Sequence, residues 1–430
     1  MRAALVKATE QNRAKANDFI KDLKPIGGTA IDDALRKALA LRPGGEDRPF
    51  VVIFLTDGRP TIGTTDEDQI VANVKKENDG RIRVFCFGIG TDVNTHLLDR
   101  ITEDTRAVSQ YVLPDEDLEV KVSNFYSKIK EPVLANPTLK FTGDIRVAKL
   151  YPSPLPDLFK GEQLVLVGRY SGKGDAAVIV EGSVNSAPRK STYKVNFPEE
   201  ASANEFIPRL WATRRVGYLL DEIRLHGENG ELRDEVTELA RKYSIVTPYT
   251  AYLILEDETQ RNVPMAQRSL QGFDSDGGVR REAARAWSDF KTESSGGAAV
   301  AGARYGMAFK SADAAAPATL NGALEARRAL GLPDRLSAAA EPAPANRNKE
   351  RLVQYAQQTQ FVAGKSFFQN DKQWVDSAVQ KHPNAKPVRI QFGSAEYFDL
   401  VAKNPKALPW LALGQNVQFV LDNTIYDIYE

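Results

Sequence analysis

The run Phe50-Val51-Val52-Ile53-Phe54-Leu55-Thr56, closed by Asp57-Gly58, constrains the fold of this chain more than any other stretch. An unbroken apolar run rich in β-branched residues and bounded by a turn signal predicts a strand buried on both faces. Open α/β sheets place their ligands at the carboxyl ends of such strands. Upstream, Ile26-Gly27-Gly28-Thr29-Ala30-Ile31 sets a glycine pair and a threonine at the mouth of an amphipathic helix. A threonine hydroxyl and an aspartate carboxylate brought together there are hard oxygen donors. They suit Mg²⁺ or a similar oxygen-seeking cation.

The flanking pattern alternates. Helices are predicted over 7–23, ended by Pro25, and after Thr29 through Ile31, Leu35 and Ala38. Asp32 and Asp33 fall in the first turn of the second helix, where negative charge suits the dipole. A polar loop spans 58–66. Helix 69–76, strand 81–87, helix 94–100, strand 107–112 and helix 118–129 follow. The alternation predicts a parallel sheet with helices on both faces. Three strands are few for a doubly wound sheet, and the outer flank of the first is expected to be exposed.

Residues 132–257 change character. Short strands at 138–142, 145–150, 163–170, 176–184 and 191–196 predict an antiparallel sandwich. A helical hairpin over 206–226 and 232–243 follows, and 244–255 reads as extended. Residues 258–350 read as low-complexity, disordered linker, with Gly/Ser runs, the Ala/Pro run at 338–345 and one short helix near 280–287. The last part, 351–430, is expected to be a small β-rich module with one helix. Strands are predicted at 360–368, 373–379, 388–392, 416–421 and 424–428, with a helix capped by Ser394 and a turn at Asp422-Asn423.

The motifs Gly27-Gly28-Thr29-Ala30-Ile31, Leu55-Thr56-Asp57-Gly58 and Phe87-Gly88-Ile89-Gly90 resemble a von Willebrand factor A domain. Leu210-Trp211-Ala212, Leu239-Ala240-Arg241-Lys242-Tyr243 and Val246-Thr247-Pro248-Tyr249-Thr250 extend the resemblance to the inter-alpha-trypsin inhibitor heavy chain family in its bacterial form. The resemblance covers roughly residues 1–257; with the change of pattern beyond it, the expected domain limits are 1–131 for the A-domain part, 132–257, 258–350 and 351–430. In that family the metal site combines a first-strand Asp-x-Ser-x-Ser, a loop threonine and a later aspartate. Thr29 and Asp57 match the last two, and no Asp-x-Ser-x-Ser precedes Thr29. The resemblance thus implies an N-terminally truncated A domain whose site, with Mg²⁺ or Mn²⁺, is incomplete. On that reading Thr29 serves here as a helix N-cap.

The function implied is non-enzymatic, metal-dependent adhesion to a protein presenting a carboxylate. The expected location is periplasmic, cell-surface or extracellular, with an export signal lost upstream. The alternative is an intracellular adaptor for an ATPase or chelatase. Other classes find little support. Lys plus Arg and Asp plus Glu are 57 each, so net charge gives nothing to a nucleic-acid partner. The single cysteine, Cys86, sits in an apolar strand and reads as a buried small hydrophobe. Three scattered histidines form no zinc pattern. His96 and Asp99 read as a surface pair, and Gly88-Ile89-Gly90 is too short for a phosphate loop. No apolar run reaches the ~18 residues of a membrane span.

Overall fold

The computed structural model describes residues 4–24, 26–43, 50–78, 80–184, 187–201, 204–333 and 346–430. Pro25 and the 338–345 run lie outside them. The chain divides into two units, Met1–Glu199 with Ser294–Gly296, and Glu200–Glu293 with Gly297–Glu430.

The first unit opens with strict alternation: α1 (Glu10–Lys21), α2 (Ile31–Leu39), β1 (Phe50–Thr56), α3 (Glu67–Glu77), β2 (Ile82–Ile89), α4 (Thr95–Asp104), β3 (Ser109–Val112) and α5 (Leu118–Ile129). The strands form a parallel sheet in the order β1-β2-β3. Central β2 is buried along nearly its whole length, which is why it reads as one apolar run. Phe85, Phe87, Val112 and Phe125 make the core under α5. Asp66, Asn94 and Asp117 cap α3, α4 and α5 through their side chains.

Strand β1 is the sheet edge, as expected, with Val51 37% and Leu55 45% exposed. Helix α1 buries none of its residues. A flat apolar edge invites pairing with another chain. Leu55→Lys is therefore expected to reduce self-association in sedimentation velocity while changing stability by no more than about 0.5 kcal/mol. An unchanged sedimentation profile would show that this edge does not drive association.

The antiparallel part comprises β4 (Pro132–Phe141), β5 (Arg146–Tyr151), β6 (Leu158–Phe159), β7 (Val167–Ser171), β8 (Gly174–Val184) and β9 (Ala187–Phe197). They form a four-stranded sheet, β6-β4-β8-β9, and a two-stranded sheet, β5-β7. A buried ion pair ties this part to the parallel sheet. Arg83, on β2, donates from Nε and Nη2 to the Asp157 carboxylate at 2.9 and 3.0 Å. Its remaining donors go to Asn136 Oδ1 at 2.6 Å and to the carbonyls of Gly80 and Ile82.

The second unit contains α6 (Phe206–His226), α7 (Gly230–Tyr243), α8 (Pro248–Gln260), α9 (Gln271–Ser275), α10 (Gly277–Thr292), α11 (Gly297–Lys310), α12 (Ala315–Ala329) and α13 (Arg347–Gln357). The structure departs from expectation in two stretches. The stretch 244–255 is helical from Pro248 onward, not extended. Thr247 and Thr250 form a capping box with Pro248 at the first helical position, and that local chemistry overrides the β-branched and aromatic composition. The 258–350 stretch is not a linker where it is described. Helices α9 to α12 and the start of α13 fill it and bury Phe273, Trp287, Phe290, Tyr305 and Phe309. Several of its Gly and Ala residues are packing residues. A Cβ on Gly322 would fall 2.3 Å from the Phe309 ring, and one on Gly302 3.2 Å from the Phe290 ring.

The chain closes with β10 (Thr359–Val362), β11 (Lys365–Asn370), β12 (Gln373–Asp376), β13 (Val388–Gln391), α14 (Ala395–Lys403), α15 (Leu408–Leu411), β14 (Val417–Leu421) and β15 (Thr424–Tyr429). They give a six-stranded sheet ordered β10-β11-β12-β14-β15-β13. The expected strand 360–368 is two strands, because Ala363 and Gly364 take positive φ and turn the chain. Ser394 caps α14, and the positive φ of Asp422 and Asn423 closes the last hairpin.

Candidate metal centre

Two loops meet at the carboxyl end of β1. The first carries Gly27-Gly28-Thr29 into α2. Gly27 has φ +98°, a conformation L side chains rarely take. Gly28 lies under the second loop, where a Cβ would fall 2.5 Å from Thr61 Oγ1 and 2.8 Å from Ile62. Both glycines are thus demanded by geometry. Thr29 N–H donates to Thr61 Oγ1 at 2.8 Å, and Thr29 O accepts from Thr61 N–H at 2.9 Å and Ile62 N–H at 3.3 Å. The loop after Asp57 is zipped to the loop before α2.

The second loop begins with a tight turn. Thr56 Oγ1 donates to Gly58 O at 3.0 Å and accepts from Gly58 N–H at 3.3 Å. Asp57 stands at the apex, exposed to solvent. A Cβ on Gly58 would lie 3.2 Å from Thr29 Oγ1. The Thr29 hydroxyl therefore stands against the residue next to Asp57, and a larger side chain at 58 would crowd it.

Thr29 is not the helix cap. The N-cap of α2 is Ala30, without a side-chain hydrogen bond. The Thr29 backbone instead holds the second loop.

Asp32 departs from a simple dipole role. It is 2% exposed and accepts from Asn73 Nδ2 at 2.9 Å, and Asn73 Oδ1 accepts from Gln69 Nε2 at 3.0 Å. Sequence reasoning missed Asn73. Its only signal was Gln69-x-x-x-Asn73 on one face of a helix beside the loop.

The remaining sequence candidates resolve into packing. A Cβ on Gly88 would fall 2.7 Å from the Tyr111 ring, so that glycine admits a neighbouring strand's aromatic group. Tyr111 Oη donates to Asp99 Oδ1 at 2.7 Å, so Asp99 is committed there as well as lying near His96 in sequence. Cys86 is fully buried. Burial, then the nearby Asp99 charge, push its thiol far above the ordinary range, which rules out a thiolate nucleophile.

The donor chemistry fits a hard divalent cation. Thr29 offers a hydroxyl and Asp57 a carboxylate, with no nitrogen or sulfur ligand at the loop pair. Zn²⁺ prefers nitrogen and sulfur, whereas Mg²⁺ and Mn²⁺ accept oxygen and water. Two protein donors leave the rest of an octahedral shell to other oxygens.

Residues 4–127 match the von Willebrand factor type A domain. Human inter-alpha-trypsin inhibitor heavy chain H4 is 26% identical over 294 residues, covering 63% of this chain and 31% of that protein. Human inter-alpha-trypsin inhibitor heavy chain H6 is 28% identical over 287 residues, covering 60% and 22%. The chain spans a third or less of the length of these curated relatives. A solved von Willebrand factor type A protein from Catenulispora acidiphila aligns at TM-score 0.39 and 16% identity, over 63% of this chain and 70% of that one.

Proposed function

We propose that this chain, which carries a von Willebrand factor type A domain and is similar to inter-alpha-trypsin inhibitor heavy chains, is a non-enzymatic protein-interaction protein whose binding depends on a divalent cation. The observation that carries the reading is the placement of Thr29 Oγ1 against Gly58, beside the exposed Asp57, by two loops hydrogen-bonded through Thr61. Thr29 and Asp57 are the residues that would hold Mg²⁺ or Mn²⁺. Bound there, the cation supplies an open coordination position for a carboxylate of the partner protein. The chain's own part is positional. Thr61 and Thr56 fix the two loops, and the Asn73–Asp32 bond holds the start of α2. The setting proposed is a bacterial envelope or extracellular space. Among the described residues no helix is long and apolar enough to cross a membrane.

Titrating Mn²⁺ alone into the chain by calorimetry tests this. Saturable binding is expected, weakened at least about tenfold, or ~1.4 kcal/mol, in Asp57→Ala and in Thr29→Ala. Asp57 is exposed and its turn is closed by Thr56, so the melting temperature of Asp57→Ala is expected to stay within ~2 °C. Metal binding unaffected by both substitutions would place the cation elsewhere. Unfolding of Asp57→Ala would make the aspartate structural.

A further inference from the structure

In the second unit, α8 and α10 pack side by side and leave an open cleft of about 310 Å³. That lies at the lower end of the ~300–1,000 Å³ typical of small-molecule sites. Tyr252, Leu255 and Thr259 form one wall, and Arg280, Arg281 and Ala284 the other. Leu255 is buried and Tyr252 and Ala284 are half-buried, so the floor is apolar, while both arginines are exposed at the rim.

The charges do not balance. Glu256, the acid on the α8 wall, is already engaged: it accepts from Tyr252 Oη at 3.3 Å and lies 3.6 Å from Arg233 Nη1. Arg280 lies 3.6 Å from Asp274, but Asp274 also holds Arg268. Arg281 has no ion pair or hydrogen bond among the described residues. The positions three and four residues away on its helix are Gly277, Gly278, Ala284 and Arg285, so no carboxylate stands within helical reach. Small residues at 277 and 284 keep the space beside the guanidinium open.

We propose that this cleft binds a small amphipathic carboxylate, an organic acid with a compact apolar body. The Arg281 fork takes the carboxylate in a bidentate pair, supported by Arg280. The apolar body lies on Tyr252, Leu255 and Ala284, where burial of its surface adds to the charge pairing. A guanidinium selects carboxylate over the neutral amide, and the apolar floor selects an organic acid over inorganic phosphate. This cleft shares no residue with Thr29 and Asp57, and its test is independent of the metal reading.

The test titrates phenylacetate, phenylacetamide and inorganic phosphate separately into the full chain, read by calorimetry and saturation-transfer NMR. Phenylacetate is expected to bind saturably at millimolar concentration or below, with the amide and phosphate at least tenfold weaker. Arg281→Ala is expected to weaken phenylacetate at least tenfold with an unchanged melting curve. Ala284→Leu, which fills the cleft without touching charge, is expected to weaken it similarly. Arg146→Ala, on β5, is the control that changes nothing. No saturable phenylacetate binding, equal binding of the amide, tighter binding of phosphate, or indifference to both cleft substitutions would each overturn the proposal.

Discussion

Replacing Asp157 with alanine is expected to destabilise the first unit by about 3–5 kcal/mol, the range for breaking a buried ion pair from one side. Arg83 and Asp157 are 1% and 4% exposed, so neither charge can turn to water when its partner is removed. Asp157→Ala strands the guanidinium and also removes the acceptor of the Asn136 backbone N–H, bonded at 2.9 Å. Urea denaturation followed by far-ultraviolet circular dichroism measures the loss. Hydrogen exchange over residues 80–84 and 132–139 locates it. The double substitution Arg83→Met with Asp157→Leu is expected to recover part of the stability, because it removes the stranded charge while leaving the Asn136 N–H without its acceptor. A loss below about 1 kcal/mol in the single variant would show that water reaches the guanidinium and that the pair does not clamp the two sheets.

The clamp and the candidate metal centre sit at opposite ends of the parallel sheet. In the β1–β2 register, Val51 faces Arg83 and Thr56 faces Gly88. Arg83 thus secures the amino end of β2, while Thr29, Asp57 and Thr61 occupy the carboxyl end of β1. The ends have different chemistry: a saturated, dry guanidinium at one, and an exposed carboxylate beside a half-buried hydroxyl at the other. Strength is concentrated where the antiparallel sheets attach, and solvent-accessible oxygen donors where a ligand can approach.

The parts legible in the sequence were those whose determinants are local. The apolar runs of β1 and β2, the turn at Asp422-Asn423 and the Ser394 cap each lie within a few residues of the signal that announces them. Thr29 and Asp57 could be paired because a glycine-bounded loop and a strand end both point to the carboxyl edge of a parallel sheet. Helix α8 was misread because its first two turns are almost wholly buried and lack a polar face, so its Ile, Leu and Tyr residues mimic a buried strand. The deciding signal was Thr247-Pro248-x-Thr250, a capping pattern rather than a periodicity. Helices α9 to α12 were misread for a related reason. Their Gly and Ala residues allow close helix contacts, as at Gly322 against Phe309 and Gly302 against Phe290, but as composition they resemble linker. The Arg83–Asp157 pair spans 74 residues of sequence. Its only trace was one charged residue inside an otherwise apolar strand.

In the second unit, Asp221→Asn is the substitution expected to cost most, again about 3–5 kcal/mol. Asp221, on α6, is held between two cations. Arg224 donates from Nε at 3.1 Å and Nη2 at 2.6 Å to Oδ1, and Lys310 on α11 donates to Oδ2. Gly306 makes room for the arrangement, since a Cβ there would fall 3.3 Å from Asp221 Oδ1. Burial by itself would raise the carboxyl, but Lys310 and Arg224 outweigh it and hold it well below the usual carboxylate range. The sign follows from linkage. A carboxyl depressed in the folded state stabilises fully above its unfolded value of about 4, and that contribution fades as pH falls toward the folded value. The native protein is therefore expected to keep this contribution through pH ~5–7 and to lose it progressively below pH ~4. Asparagine preserves the shape but strands Arg224 and Lys310, so the variant should be destabilised at neutral pH and its stability should fall less steeply on acidification. Urea denaturation of both proteins at several pH values measures the two slopes. Parallel slopes would mean that folding leaves the proton affinity of Asp221 unchanged, so that Lys310 and Arg224 do not hold its carboxyl below the usual range.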